Sequence, residues 1–166
     1  MKIELSSFTE KITKLDKDFE PKTIGLEEEG FVNQIKLEAN VIKEETNRIW
    51  LEGKVTAHIN SKCDRCLEPF VEEVSQKIRL LFDPKEKDNK QEEDTFVVTS
   101  DTLDLAKYLK DSLLLALPSK HLCDPECKGL CPQCGVNLNK NSCDCEIDSI
   151  DPRLEKLKEI KSKMED

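Results

Sequence analysis

The sequence predicts an α+β fold: an antiparallel β-sheet meander, one covering helix and a small Cys-rich C-terminal module. Three observations predict it. Apolar residues alternate with polar ones through three central segments. One later segment repeats leucine every four residues. Eight cysteines fall in closely spaced pairs, six of them after residue 120. The expected organisation is an α+β domain over residues 1–120, a Cys-rich module over 121–150 and a charged helix or tail over 151–166.

Ile3 and Leu5 predict a short opening strand. Phe8 to Phe19 fits a helical face and a strand equally, and carries no assignment. The next three segments are plainer. Phe31, Asn33, Ile35, Leu37, Ala39 and Val41 share one parity, with Gln34, Lys36, Glu38 and Asn40 on the other. Ile49, Leu51, Val55, Ala57 and Ile59 alternate with Trp50, Lys54, Thr56, His58 and Asn60. Phe70, Val74, Ile78, Leu80 and Phe82 alternate with Glu73, Ser75, Lys77 and Arg79. Successive strand residues point to opposite faces, so each segment buries one face. Short connections favour antiparallel neighbours. The first turn falls at Glu44-Glu45-Thr46-Asn47, and the second contains Cys63-Asp64-Arg65-Cys66 and Pro69.

Asp83 to Asp94 reads as a charged loop, and Phe96, Val97 and Val98 as one more strand. A helix should follow, capped by Asp101 or Thr102, whose side-chain oxygens accept unpaired N–H groups at a helix start. Leu105, Leu109, Leu113 and Leu117 form its buried stripe, and Pro118 ends it. Pro152 to Met164 carries a thin stripe of Leu154, Leu157 and Ile160 behind a first-turn proline.

The cysteines are the chemical feature. Cys63 and Cys66 form a Cys-x-x-Cys at the second hairpin tip. Cys123 and Cys127 follow the long helix. Cys131 and Cys134 form a Cys-Pro-x-Cys-Gly turn, and Cys143 and Cys145 close the series. A tight turn with two cysteines presents two sulfurs to one metal, and two such turns supply the four thiolates of a structural zinc site. Gly135 fits this reading, because the residue after such a turn often takes the positive φ that glycine tolerates. The economical division gives two zinc ions, one held by Cys63, Cys66, Cys123 and Cys127 and one by Cys131, Cys134, Cys143 and Cys145. The first would staple hairpin to helix; the second is local. The rival division is a single site drawn from the last six cysteines, leaving Cys63 and Cys66 free.

Composition sets the classes this chain avoids. The opening residues lack the apolar core of a signal peptide, and the run Leu113 to Leu117 is far short of the roughly 20 residues of a membrane span. A cytoplasmic location follows, where thiols stay reduced and paired cysteines read as metal ligands before disulfides. A redox Cys-x-x-Cys opens a helix, whereas Cys63 and Cys66 precede Pro69 and a strand. His58 and His121 are the two histidines; the first reads as a solvent-facing strand residue and the second as a loop residue. No phosphate loop, Ser-His-Asp order or acidic metal cluster is present, so neither an enzyme nor a small-molecule substrate is expected. The net charge is −9, and two zinc ions on eight thiolates would bring it to about −13. That opposes RNA binding by charge alone. The polar sheet face, with Lys36, Lys54, His58, Lys77, Arg79 and Trp50, has the ingredients of an RNA platform, but Glu38, Glu52 and Glu73 dilute it.

Three blocks of this sequence resemble a known family. They are Cys63-Asp64-Arg65-Cys66-Leu67-Glu68-Pro69-Phe70, Leu113-Leu114-Leu115-Ala116-Leu117-Pro118, and Cys127 to Asn139 followed by Cys143-Asp144-Cys145. In this order and spacing they are similar to the YceD family of large ribosomal RNA subunit accumulation proteins, over about the last two-thirds of the chain. The resemblance implies a bacterial or chloroplast-type protein acting in accumulation or processing of large-subunit ribosomal RNA. Its partners would be the precursor of that RNA or ribosome assembly proteins. It implies no catalytic residue. The alternative from another class is a zinc-stabilised protein-interaction adaptor that does not act on RNA.

Overall fold

A computed structural model describes residues 2–4, 11–45, 48–83, 95–97 and 102–145. The strands are β1 (Lys2–Glu4), β2 (Ile12–Phe19), β3 (Phe31–Lys43), β4 (Ile49–Lys62), β5 (Pro69–Asp83), β6 (Thr95–Val97) and β7 (Thr102–Asp104), followed by helix α1 (Ala106–Leu115). β2 to β5 form an antiparallel meander, and β6 adds to β5 in parallel, giving the order β2-β3-β4-β5-β6. β1 and β7 pair separately as a two-stranded ribbon. No helix of the described residues is long and apolar enough to cross a membrane.

The alternation read from the sequence becomes the core. Ile35, Leu37, Ala39 and Val41 of β3, Leu51, Val55 and Ala57 of β4, and Val74, Ile78, Leu80 and Phe82 of β5 are buried in one cluster. Leu105, Leu109 and Leu113 close over it from the helical side, each at most 1% exposed. A leucine buried so completely contributes about 1.5–3 kcal/mol. Lys110 holds α1 in place, its Nζ lying 3.0 Å from Glu29 Oε1 and also donating to the carbonyl of Gly25.

Five expectations change. Ile12–Phe19, left unassigned, is strand β2, because pairing from Ile12–Ile42 to Phe19–Ile35 decides an ambiguous pattern. Asn33 does not share the inward face. A bulge between Val32 and Lys36 puts it at φ 61° and leaves it exposed, while Phe31 and Ile35 both stay buried. The helix starts later than expected, and Thr102 is no cap. Residues 102–104 are held extended against β1, so the first turn is met instead by Asp104, whose Oδ1 accepts the Ala106 N–H at 3.0 Å. The helix also stops at Leu115, so Leu117 lies beyond it; residues just before a proline disfavour the helical region. The fifth strand is parallel to β5, so the sheet is not wholly antiparallel. Phe8, Thr46, Asn47, the 84–94 loop, Asp101 and the Pro152–Met164 segment lie outside the described residues.

β3 and β4 approach closely at Gly53, which faces Ala39 in register. A Cβ on Gly53 would stand 2.1 Å from the Glu38 carbonyl oxygen and 2.5 Å from Ala39 Cα. Backbone cannot yield as a flexible side chain would. Gly53→Ala should therefore lose at least about 2 kcal/mol of stability, read as a lower urea midpoint with an unchanged m-value.

Candidate metal centre

β4 and β5 run in unbroken register from Ile49–Phe82 to Lys62–Pro69, and the turn beyond that last pair carries Cys63 and Cys66. The Cys63 N–H donates to the Glu68 carbonyl at 2.9 Å, and the Leu67 N–H donates to the Cys63 carbonyl at 2.9 Å. The turn at Cys131 and Cys134 repeats this pattern. The Cys131 N–H donates to the Val136 carbonyl at 2.8 Å and the Gly135 N–H to the Cys131 carbonyl at 2.9 Å. The residue after the second cysteine is left-handed in both, Leu67 at φ 61° and Gly135 at φ 72°. The sequence indicated the second turn through its glycine; the first takes the same shape with leucine.

The eight sulfurs gather in two groups, Cys63, Cys66, Cys123 and Cys127, and Cys131, Cys134, Cys143 and Cys145. This is the division into two sets of four that the spacing gives. Within each group the sulfurs lie within 4.8 Å of one another. Cys63 Sγ stands 3.8 Å from Cys127 Sγ, and Cys66 Sγ 3.6 Å from Cys123 Sγ. These separations are nearly twice the roughly 2.05 Å of a disulfide, and all eight thiols are free. They match the edge of a tetrahedron of sulfurs about 2.3 Å from a central zinc, which is about 3.8 Å.

The electrostatics point the same way. The Cys63 thiol is held at about 6, chiefly by the Cys123 N–H and further by those of Cys66 and Arg65, against the effect of burial. The N–H groups of Cys134 and Gln133 hold Cys131 at about 6. Cys123 is pushed up to about 12 by its contact with the Cys66 sulfur and by burial, and Cys145 to about 12 by Cys134 and burial. Cys66 accepts the Glu68 N–H and Cys143 that of Cys145, yet both end above their ordinary value, because burial and neighbouring sulfurs oppose ionisation. Crowded sulfurs therefore oppose one another's ionisation unless a cation offsets their repulsion.

Several residues position the first set. The Asp64 N–H donates to the His121 carbonyl and the His121 N–H to Asp64 Oδ2, each at 2.8 Å, which zips the segment after α1 to the hairpin tip. Arg65 donates to the carbonyls of Cys127 at 2.9 Å and Pro125 at 3.1 Å. His121 Nδ1 lies 2.7 Å from Glu72 Oε2, so this histidine faces a carboxylate; neither histidine is in a sulfur group. Sequence reasoning missed Asp64, Arg65 and the asparagines of the last module. Asp64, Arg65 and Asn137 find partners 57–69 residues distant in the chain, and Asn139 reaches Lys128 and Cys127 11 and 12 residues back, so no short pattern marks them.

The polar sheet face is less basic than its lysines and arginine indicate. Lys36 pairs with Glu38 at 2.7 Å, Arg79 with Glu52 at 2.8 Å, and Arg79 also covers Trp50 at 4.7 Å. The Trp50 Nε1–H donates to Glu44 at 2.9 Å. The aromatic and its neighbouring cation already have partners within the chain.

A family model described as "Large ribosomal RNA subunit accumulation protein YceD" matches residues 51–161, a span holding all eight cysteines. An uncharacterized protein of Mycobacterium tuberculosis is 33% identical, over 84% of this chain and 69% of that protein. The large ribosomal RNA subunit accumulation protein YCED homolog 1, chloroplastic, of Arabidopsis thaliana is 27% identical, over 79% of this chain and 50% of that protein. The uncharacterized protein YlbN of Bacillus subtilis is 31% identical, over 59% of this chain and 58% of that protein. No solved structure matches the chain.

Two measurements check this geometry. A Cβ on Gly135 would meet nothing within 4 Å, so Gly135→Ala isolates the left-handed backbone and should cost about 1 kcal/mol in a denaturant melt of the metal-loaded chain. At neutral pH the raised thiols of each group are protonated in the metal-free chain. Calorimetry in buffers of different ionisation enthalpy should therefore show each ion releasing at least about two protons.

Proposed function

The chain belongs to the YceD family of large ribosomal RNA subunit accumulation proteins, and from that membership we propose that it is a non-enzymatic ribosome-biogenesis factor. Its role would be to support accumulation and processing of large-subunit ribosomal RNA in the cytoplasm. The observation that carries this reading is the family match, which spans the sheet's second half, α1 and both cysteine groups.

We read the metal as structural zinc, one ion on Cys63, Cys66, Cys123 and Cys127 and one on Cys131, Cys134, Cys143 and Cys145. Four soft thiolates at tetrahedral spacing suit zinc, and a full set of four protein ligands is the structural rather than the catalytic form. When bound, each ion supplies charge neutralisation and a cross-link. The residues do the rest: Cys63 and Cys66 offer the hairpin tip, Cys123 and Cys127 the segment after α1, and Arg65 holds the carbonyls between them. On this reading residues 1–120 are an α+β domain, 121–150 a zinc module and 151–166 a charged helix or tail.

The glutamates facing Lys36 and Arg79 on the sheet face and the net charge of −9 favour contact with the RNA through assembly proteins. In-cell crosslinking should then recover ribosomal or assembly proteins ahead of precursor RNA. Recovery of partners unconnected with ribosomes would favour the adaptor reading.

Two experiments test the proposal. Depletion should lower large-subunit ribosomal RNA relative to small-subunit RNA, and an unchanged ratio would sink the biogenesis role. Anaerobically purified protein should hold about two zinc ions per chain. A value near one would leave one group unfilled, and none would remove the metal reading.

A further inference from the structure

We propose that the two cysteine groups are coupled: an ion held by Cys131, Cys134, Cys143 and Cys145 strengthens metal binding by Cys63, Cys66, Cys123 and Cys127, with Asn139 as the positioning residue. The inference rests on the metal reading above.

Asn139 lies between Cys134 and Cys143, so an ion in the second group closes the loop that carries it. From that loop Asn139 reaches the first group. Its Oδ1 accepts the Lys128 N–H at 2.8 Å. That bond orients the amide, because a backbone N–H donates to the oxygen end. The Nδ2 end then donates to Cys127 Sγ at 3.2 Å and to Asn137 Oδ1 at 2.9 Å. The same loop is tied to the hairpin tip at Glu68 Oε1, which accepts Lys140 Nζ at 2.7 Å and Asn137 Nδ2 at 3.3 Å. Glu68 is two residues from Cys66, so both struts end beside the first group.

The physical consequence follows from burial. Cys127 is 4% exposed, so its thiolate draws little stabilisation from water and depends on donors the protein supplies. The Asn139 amide is such a donor. With the second group filled, the loop is closed and the amide is pre-placed. With it empty, the loop's ordering opposes the contact. Loss of an outer hydrogen bond to a metal ligand typically weakens binding about 10- to 100-fold. Linkage makes the effect reciprocal, so the first ion strengthens the second by the same factor.

The test is stepwise cobalt(II) titration of the full chain against a competing chelator. Cys131→Ser/Cys134→Ser disables the second group and should weaken cobalt binding at the first about tenfold. Asn139→Asp keeps an acceptor for Lys128 but loses the donor to sulfur. With all eight thiols present it should produce a similar loss and move the thiolate-to-cobalt charge-transfer band to lower energy, a shift that general loosening would not give. Asn139→Ser repeats the test without adding a charge. Combined with Cys131→Ser/Cys134→Ser, neither substitution should weaken the first site further, because both remove one interaction. First-site affinity that stays within about twofold on disabling the second group overturns the coupling and leaves the two-site reading standing. Full additivity overturns the role of Asn139. A wild-type chain that takes up no metal removes both readings together.

Discussion

The β4–β5 pairing is the constraint on which the rest depends. Its register runs without a bulge from Ile49–Phe82 to Lys62–Pro69. Because side chains alternate across a strand, one register sets three things together. It turns Leu51, Val55, Ala57, Val74, Ile78 and Leu80 toward α1. It leaves Trp50, Glu52 and Arg79 on the outer face. It also ends the hairpin where Cys63 and Cys66 present their sulfurs to the segment after the helix. A slip of one residue would expose the core and turn the cysteines away from Cys123 and Cys127.

The hairpin tip is a junction as well as a turn. Around Cys63, Cys66 and Cys127 there is a second, smaller buried cluster with Phe70 and Leu122 packed against it, separate from the main core. Asp64 and Arg65, the two residues between the cysteines, both point their polar groups into the incoming chain. Gly129 shows how tightly the last module seats there. It takes φ 76°, and a Cβ on it would meet the Arg65 carbonyl oxygen at 3.0 Å. The same turn geometry appears twice, once on a long hairpin and once in a short loop. The strand ladder supports the first turn and the glycine eases the second, so leucine is tolerated at the left-handed position of one and glycine occupies the other.

Charge has a different logic from shape here. The chain is acidic, and the strand face that collects lysine and arginine sets two of them, Lys36 and Arg79, against its own glutamates Glu38 and Glu52. Exposed pairs of this kind add little to stability, but they weaken the positive field that a phosphate backbone would seek. A face with the composition of a nucleic-acid platform thus carries a weaker positive field than its count of lysine and arginine suggests.

The sequence by itself determined the three central strands, the buried leucines of the helix, and the close pairing of neighbouring cysteines, because each depends on spacing within a few residues: a period of two, a period near four, and tight Cys turns. It also carried the glycine after Cys134. What only the tertiary structure decided was non-local. Pairing with β3 made Ile12–Phe19 a strand. Pairing with β1 took Thr102 from its expected capping role and left Asp104 to meet the helix. A bulge turned Asn33 outward. Above all, Cys63 and Cys66 meet Cys123 and Cys127 only when hairpin and helix have packed. Arg65 and Glu68 acquire their roles in the same step. Local patterns fix which face of an element is apolar; the partner across that face is set by chain folding over long separations, which no single window of sequence records.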